Sequence, residues 1–359
     1  MTATMAVTTA ESTVDEVMGK ILGELGDALG VLLNALGSRA GLWAAMAGAG
    51  PLTPADVANR AGLSAPLVRE WLRAQAAGGY LSYDPARETF TLPEAVAVAM
   101  LHLPGGAMID ACTSMLCSMG AGFADFTEAF QGSGGYGWDR RTEEYLHGSD
   151  LLTRTALPAE LIGAILDQLG TGLADGGTVA DVGCGYAAPT LAVAAHFPAA
   201  KVLGIDYHDV SVTHARDAAH RAGLGDRVRF EVAAATDLPG SGYSLITFFD
   251  SLHDLGDPAG ALAQARAALA SDGAVLLVEP LAADRVEDNL NPSGRMFYAV
   301  STLVCTPNAL SQQAPGGPEP LGTLAGELRL REVAATAGFT RVRRIPVDAP
   351  MNLVLELRP

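Results

Sequence analysis

The chain has 359 residues, 49% hydrophobic and 18% charged, with 23 basic and 40 acidic side chains for a net charge of −17. That length accommodates two domains, and the charge disfavours nucleic acid as the main partner, because phosphates are neutralised by clustered Lys and Arg. Four cysteines (Cys112, Cys117, Cys184, Cys305) form no CxxC pair and no zinc-type spacing, which reads as a reduced, cytoplasmic protein. The start of the chain lacks the basic and apolar regions of a signal peptide. The most apolar stretch, from Gly105 to Phe123, is broken by Asp110 and by glycines, so no membrane span is expected.

In chain order, residues 1–12 are expected to be disordered. From Ser12 to Leu36, Val17, Ile21, Leu22, Leu25, Leu29, Leu32, Leu33 and Leu36 recur at helical spacing, with Asp15 and Glu16 suited to the first turn. So broad a stripe predicts burial on more than one side, and contact with a second copy of the chain is one way to achieve it. Thr53 and Ser64 stand where helix N-caps belong, with Pro54 and Pro66 near the helix starts. Two short helices joined by a glycine-containing turn make a helix-turn-helix, and Tyr80–Tyr83 with Thr89–Leu92 read as a strand pair around "DPARE". Residues 13–105 therefore read as a winged-helix domain, a pattern that serves either DNA binding or packing between chains. Arg60, Arg69, Arg73 and Arg87 face Asp56, Glu70, Asp84, Glu88 and Glu94, a local charge near −1, so dimerisation is expected rather than DNA binding. Residues 106–172 read as a helical linker that helps form a substrate pocket, and they hold the glycine-rich run "QGSGGYGWDRR".

From residue 173 the pattern becomes strand–helix–strand alternation, the signature of a doubly wound α/β sheet. "GTVADVG" is a buried strand running into "GCGYAA" and then the helix "PTLAVAAHFP". Gly183 lets the chain turn and Gly185 lets a ligand approach the backbone, with Cys184 between them. Such a loop serves nicotinamide and flavin enzymes as well as other nucleoside binders. Asp181 separates the readings. A carboxylate at the strand tip would oppose a pyrophosphate at the helix N-terminus, whereas S-adenosylmethionine carries an ammonium and a sulfonium and no phosphate. The second strand ends in Asp206, followed by Tyr207, where a carboxylate can accept from both ribose hydroxyls. Asp237 and Leu238, in the loop after the third strand, are placed toward the adenine. Asp237 is equally well a cap or a solvated acid. Asp250, at the exit of the fourth strand, completes the expected donor contacts.

With "DVGCG", "GIDYH" and "ATDLPG" in line, the second half resembles the class I S-adenosylmethionine-dependent methyltransferases. Together with the winged helix, "FFDSLHDLGDP", "VEP" and "EDNLNPSGRMFYAVSTLVCTPNALSQ", the chain is similar to small-molecule O-methyltransferases of an actinobacterial, natural-product type. The resemblance implies a Rossmann-like, seven-stranded α/β domain over 173–359, ending in an antiparallel hairpin formed by "TRVRRIPV" and "MNLVLELR", behind a mostly helical winged-helix domain. It also implies S-adenosylmethionine as cofactor, a small-molecule acceptor and a homodimer built through the N-terminal domain. Two positions depart from the pattern: Ala187 replaces the third glycine, and "LHDL" stands where many plant-type relatives have "LHDW".

Methyl transfer needs an aligned acceptor, exclusion of water and, for a weakly acidic hydroxyl, a proton acceptor. His253 follows the fourth strand, beside the switch point of the sheet, and imidazole titrates near neutrality, so it is the candidate base. The alternative is a histidine that shapes the pocket or caps a helix. Asp254 is a candidate cap for the helix near Pro258 or a ligand holder, and Glu279 and Glu327 are candidate orienters of His253. No metal is expected, the alternative being an open site from His208, His253 and Asp254. Arg295, Met296 and Tyr298 are expected to roof the pocket, and Met115, Met119 and Phe123 to line it, with ordinary core packing as the alternative for each. N- or C-methylation, an enzyme that keeps the donor without methylating, a ligand-sensing regulator and a nicotinamide oxidoreductase all remain open at this point.

Overall fold

A computed structural model describes residues 13–132, 134–170, 173–313 and 316–359. The disorder expected for residues 1–12 lies outside the described residues. The chain divides into two compact units between Met115 and Leu116. The stretch 106–172, read from sequence as a separate linker, is divided: residues 106–115 fall in the first unit and 116–172 in the second.

The first unit opens with α1 (Val14–Arg39), started by a capping box between Thr13 and Glu16. It continues through α2 (Leu42–Met46), α3 (Pro54–Ala61), α4 (Ala65–Ala77), β1 (Ser82–Asp84), β2 (Thr89–Thr91), α5 (Glu94–Leu101) and α6 (Gly105–Ala121), within which the division falls. Thr53 caps α3 as its position predicts, in a box with Asp56, whereas the Ser64 side chain makes no capping hydrogen bond to α4. Strands β1 and β2 pair antiparallel as the wing. The core centres on Trp43 and Trp71, edge to face at 4.8 Å, with Met46, Val57, Leu72 and Phe90. Gly37 of α1 lies against both indoles, where a Cβ would meet Trp71 at 2.6 Å and Trp43 at 2.7 Å.

The apolar stripe of α1 is exposed rather than buried: Val17, Ile21, Leu22, Leu25, Leu29, Leu32 and Leu36 all face solvent. Among the described residues α1 is also the one single helix long and apolar enough to cross a membrane. Asp15, Glu16, Lys20, Glu24 and Asp27 punctuate its first half, whereas Ala28 to Ser38 carries no charge.

In the second unit α7 (Phe123–Phe130), α8 (Glu143–Ala156) and α9 (Ala159–Leu166) precede β3 (Gly177–Val182), α10 (Ala188–His196), β4 (Ala200–Asp206), α11 (Asp209–Arg221) and β5 (Val228–Val232). There follow β6 (Tyr243–Phe249), α12 (Pro258–Ala268), β7 (Leu269–Pro280), α13 (Pro292–Val300), α14 (Thr306–Ser311), α15 (Gly326–Thr336), β8 (Arg341–Arg344) and β9 (Asn352–Arg358). The strands form one seven-stranded sheet in the order β5-β4-β3-β6-β7-β9-β8, parallel except for β9. This includes the terminal antiparallel hairpin. Both faces are buried. Val179 of β3 joins one apolar cluster, while Ala180 and Val182 join the other, which is why the strand reads as a continuous apolar run. Strand order reverses between β3 and β6, so their carboxyl ends part and leave a crevice.

Gly37→Ala forces a methyl into two edge-to-face indoles and should cost the first unit about 1–3 kcal/mol. Urea unfolding followed by tryptophan fluorescence reads it directly, since Trp43 and Trp71 are both in this unit.

Candidate active site

A cavity of about 400 Å³ lies at the carboxyl ends of β3, β4 and β6. Its floor is the turn Gly183–Cys184–Gly185–Tyr186 between β3 and α10. Gly183 has φ 74° and packs so closely that a Cβ would meet the Ser251 side chain at 2.6 Å, whereas a Cβ on Gly185 would stand in open space. The first glycine thus serves the turn and the second leaves room above the backbone. Ala187, in place of a third glycine, adopts φ 73°. A left-handed alanine costs about 1 kcal/mol, which its fully buried methyl, worth about 0.8 kcal/mol, largely offsets.

Asp206 lines the cavity at the end of β4. Its Oδ2 accepts the Gly185 N–H at 2.9 Å and its Oδ1 the His208 N–H at 2.9 Å. Burial raises its pKa against the pull of those two donors. Each oxygen keeps a second lone pair for a hydroxyl. Tyr207 also lines the cavity, with its hydroxyl donating to Asn308 Oδ1 at 2.8 Å and accepting the Trp138 N–H at 3.2 Å. Asp250, with φ 49°, lines the cavity where β6 ends and accepts a hydrogen bond from Asn352 Nδ2 at 3.0 Å. Burial, with Glu279 and Asp254 nearby, raises its carboxyl to about 7 despite His253 and Asn352. The opposite wall, Ala233 to Thr236, is small and largely apolar.

Asp181 does not line the cavity. It is 1% exposed, and its oxygens accept from Thr190 Oγ1 at 2.5 Å and Thr247 Oγ1 at 2.7 Å. Burial raises its pKa to about 6, although both hydroxyls and the neighbouring Asp206 also act on it. Its charge is therefore spent on α10 and β6 rather than on a ligand, a correction to the direct contact expected of it.

His253 and Asp254 sit on a single turn of 3₁₀ helix, Leu252–Asp254, after β6. Glu279, 2% exposed at the end of β7, accepts the Leu252 N–H at 2.9 Å and pairs with His253 Nδ1 at 2.5 Å. Burial opposes charge on the imidazole, but the Glu279 carboxylate and the Cys305 side chain outweigh it and hold His253 well above its ordinary range. Asp254 lines the cavity, its Oδ2 accepting from Trp138 Nε1 at 3.2 Å. It does not cap α12; Asp257 does, accepting the Gly260 N–H at 2.8 Å.

The remaining expected residues lie elsewhere. Both oxygens of Glu327 are taken by Arg331 and Arg344, so it does not orient His253. Asp237 is exposed and Leu238 is a core residue 3% exposed, while Ala233–Thr236 meet the cavity instead. Met119, Phe123, Arg295, Met296 and Tyr298 are absent from its lining, with Phe123 68% and Met296 44% exposed. Met115 belongs to the core side of the first unit. His208 lines the cavity but its Nδ1 faces Ser211 Oγ at 2.9 Å, away from His253. Reading the sequence missed Trp138, Tyr186, Ser251 and Asn308. The only available signal was the glycine-rich run around Trp138. There, Gly135 has φ 89° and packs where a Cβ would meet Pro307 O at 2.3 Å, so the strap closes on α14.

Residues 173–316 match the family described as "Methyltransferase domain", and residues 28–102 match the Rv2258c-like winged HTH domain. The protein is an S-adenosylmethionine-dependent methyltransferase. No curated protein matches it in sequence. Solved structures share its fold over nearly the whole chain. A candidate O-methyltransferase from Nostoc punctiforme PCC 73102 is 18% identical with a TM-score of 0.70, covering 97% of this chain and 99% of its own. The mitomycin 7-O-methyltransferase MmcR is 18% identical with a TM-score of 0.65, over 96% and 98%. Human N-acetylserotonin methyltransferase, solved with S-adenosylmethionine, is 15% identical with a TM-score of 0.64, over 99% of both chains.

The methyltransferase's cavity suits its donor. It offers open space over Gly185, a carboxylate with free lone pairs at Asp206, a small apolar wall for a nucleobase, and the acid Asp250 for a cationic ligand. Because the Asp250 carboxyl sits near 7, it is mostly neutral at pH 6 and mostly ionised at pH 8. A cationic donor favours the ionised form, so affinity should rise by about tenfold across that interval. Calorimetry should find this rise in the wild type and a flat profile in Asp250→Asn.

Proposed function

We propose that the methyltransferase transfers a methyl group to an oxygen of a small, partly apolar metabolite in secondary metabolism, acting as a homodimer in the cytoplasm. The observation that carries the reading is the buried His253–Glu279 pair, 2.5 Å apart, beside the cavity-lining Asp254. S-adenosylmethionine supplies the activated methyl. Asp206 would hold the ribose hydroxyls, with the Gly185 and His208 amides fixing its carboxylate, and Asp250 would attract the donor's positive charge. In its neutral form, which the raised pKa makes a minor one near neutral pH, His253 takes the proton of the acceptor hydroxyl through Nε2, and Glu279 stabilises the imidazolium that forms and fixes the ring. Trp138 and Asn308 brace Asp254 and Tyr207 on the acceptor side, where displacement of water favours transfer to the acceptor over hydrolysis. The names mitomycin 7-O-methyltransferase and N-acetylserotonin methyltransferase denote methyl transfer to small molecules, which supports the same class here.

The dimer rests on α1, whose apolar side chains have no partner large enough in the described residues to cover them. Glycines at 19, 23, 26 and 30 recur near every fourth residue and would let a second helix approach closely. The four cysteines are free thiols, which fits a reducing compartment.

His253→Ala should lower turnover by about 10²–10⁴-fold while leaving affinity for S-adenosylhomocysteine unchanged. Stopped assays on a panel of phenolic acceptors, read by product mass and position, check both halves. Unchanged turnover, or methyl found only on nitrogen or carbon, removes the oxygen assignment. Leu25→Glu combined with Leu29→Glu should convert a dimer into a monomer in sedimentation velocity.

A further inference from the structure

Cys305 has no part in the function proposed above, yet it lies buried against the catalytic turn. It closes a five-residue π-helical segment, Ser301–Cys305, between α13 and α14. Such segments interrupt helices at a cost and gather at functional sites. One nitrogen of His253, one carboxylate oxygen of Asp254 and the Cys305 sulfur all lie within 4.8 Å of one another.

Each of the three side chains is held from behind by a separate partner. Glu279 takes His253 Nδ1 at 2.5 Å, Trp138 Nε1 donates to Asp254 Oδ2 at 3.2 Å, and Thr323 Oγ1 donates to Cys305 Sγ at 3.0 Å. The atoms that face one another are His253 Nε2 and Cys305 Sγ, which share a hydrogen bond, and Asp254 Oδ1. Nε2 and Oδ1 stand 3.6 Å apart. Two ligands at about 2.1 Å from one tetrahedral ion are separated by roughly 3.4 Å. Asp254 Oδ1 is buried and has no hydrogen-bond partner, its nearest positive group being His253 Nε2 at 3.6 Å, so an ion between the two would satisfy it. A carboxylate behind a histidine and a hydroxyl behind a thiol are the outer partners that fix metal ligands.

We propose that His253 Nε2, Asp254 Oδ1 and Cys305 Sγ form a binding site for one thiophilic divalent cation, with zinc the best match. Nitrogen, oxygen and sulfur together suit zinc and disfavour magnesium or calcium, which take oxygen alone. On binding, the Cys305 thiol and the His253 Nε2–H each release a proton to solvent, and sulfur, nitrogen and oxygen each donate a lone pair. One carboxylate and one thiolate then neutralise the divalent charge. Asp254 reaches the cavity, so the ion and its remaining water ligand have a path in from that side. The functional consequence rests on the reading of His253 as the base. The cation occupies the lone pair that would take the acceptor's proton, so zinc inhibits transfer and its removal restores it.

Cobalt(II) reports the site independently of activity. The full-length, chelator-stripped protein is titrated with cobalt, with Cys305→Ser and Cys117→Ser in parallel and S-adenosylhomocysteine binding as the check on folding. The expected result is a one-to-one complex with a thiolate-to-cobalt charge-transfer band and intense tetrahedral visible bands. Cys117→Ser keeps them, Cys305→Ser loses the charge-transfer band, and zinc displaces the cobalt. Glu279→Gln should weaken zinc binding by about 10–100-fold. No such band in the wild type, or a band that survives Cys305→Ser, overturns the site. Cobalt bands lost in Cys305→Ser without zinc inhibition of turnover would uphold the site and overturn the assignment of His253 as the base.

Discussion

The fold's functional centre hangs on one buried carboxylate. Asp181 sits in β3, beside the middle strand of a seven-stranded sheet, next to Thr247 on β6 in the pairing register, with Thr190 of α10 above it. These two hydroxyls tie β3 to β6 and to the helix that follows the glycine turn. The strands on either side of the crevice, and the turn that forms its floor, are thereby fixed by one side chain. An isolated buried carboxylate would be costly, and the paired hydroxyls are what make it tolerable.

Charge complementarity toward a cationic donor is present, but it resides in other residues. Asp206 and Asp250 face the cavity, while Asp181 faces the scaffold. Of the acids that line the cavity, Asp206 and Asp250 are held by neutral donors (backbone amides for Asp206, the Asn352 amide for Asp250), so neither of these two is cancelled by an Arg or Lys. An anionic pyrophosphate would meet two uncompensated carboxylates there. A sulfonium and an ammonium meet an attractive field.

Much of the architecture was legible because local patterns and burial agree. β3, β4 and β6 read as apolar runs because both faces are covered, and each ends in an acid or a turn at the sheet's edge. Thr53 and Asp56 made α3 visible through their reciprocal cap. The site was less legible wherever direction mattered. Sequence spacing places Asp181 at a strand tip but does not say which face of the pleat its side chain takes, and one residue reverses that face. Glu279 was legible as a strand-end acid. Glu327 looked equivalent but is claimed by Arg331 and Arg344, partners brought by helical spacing and by β8. Trp138 reaches the His253–Asp254 turn from 116 residues before it, and Asn308, with Cys305 close by in sequence, from 54 residues after it, and no local pattern encodes that.

The decisive measurement is a crystal structure of the full chain with S-adenosylhomocysteine. The nucleoside should lie over Gly185, with its ribose on Asp206 and its base against Ala233–Thr236, while Asp181 keeps both threonines. A nucleoside seated elsewhere, or an Asp181 carboxylate turned out to meet it, would contradict this account.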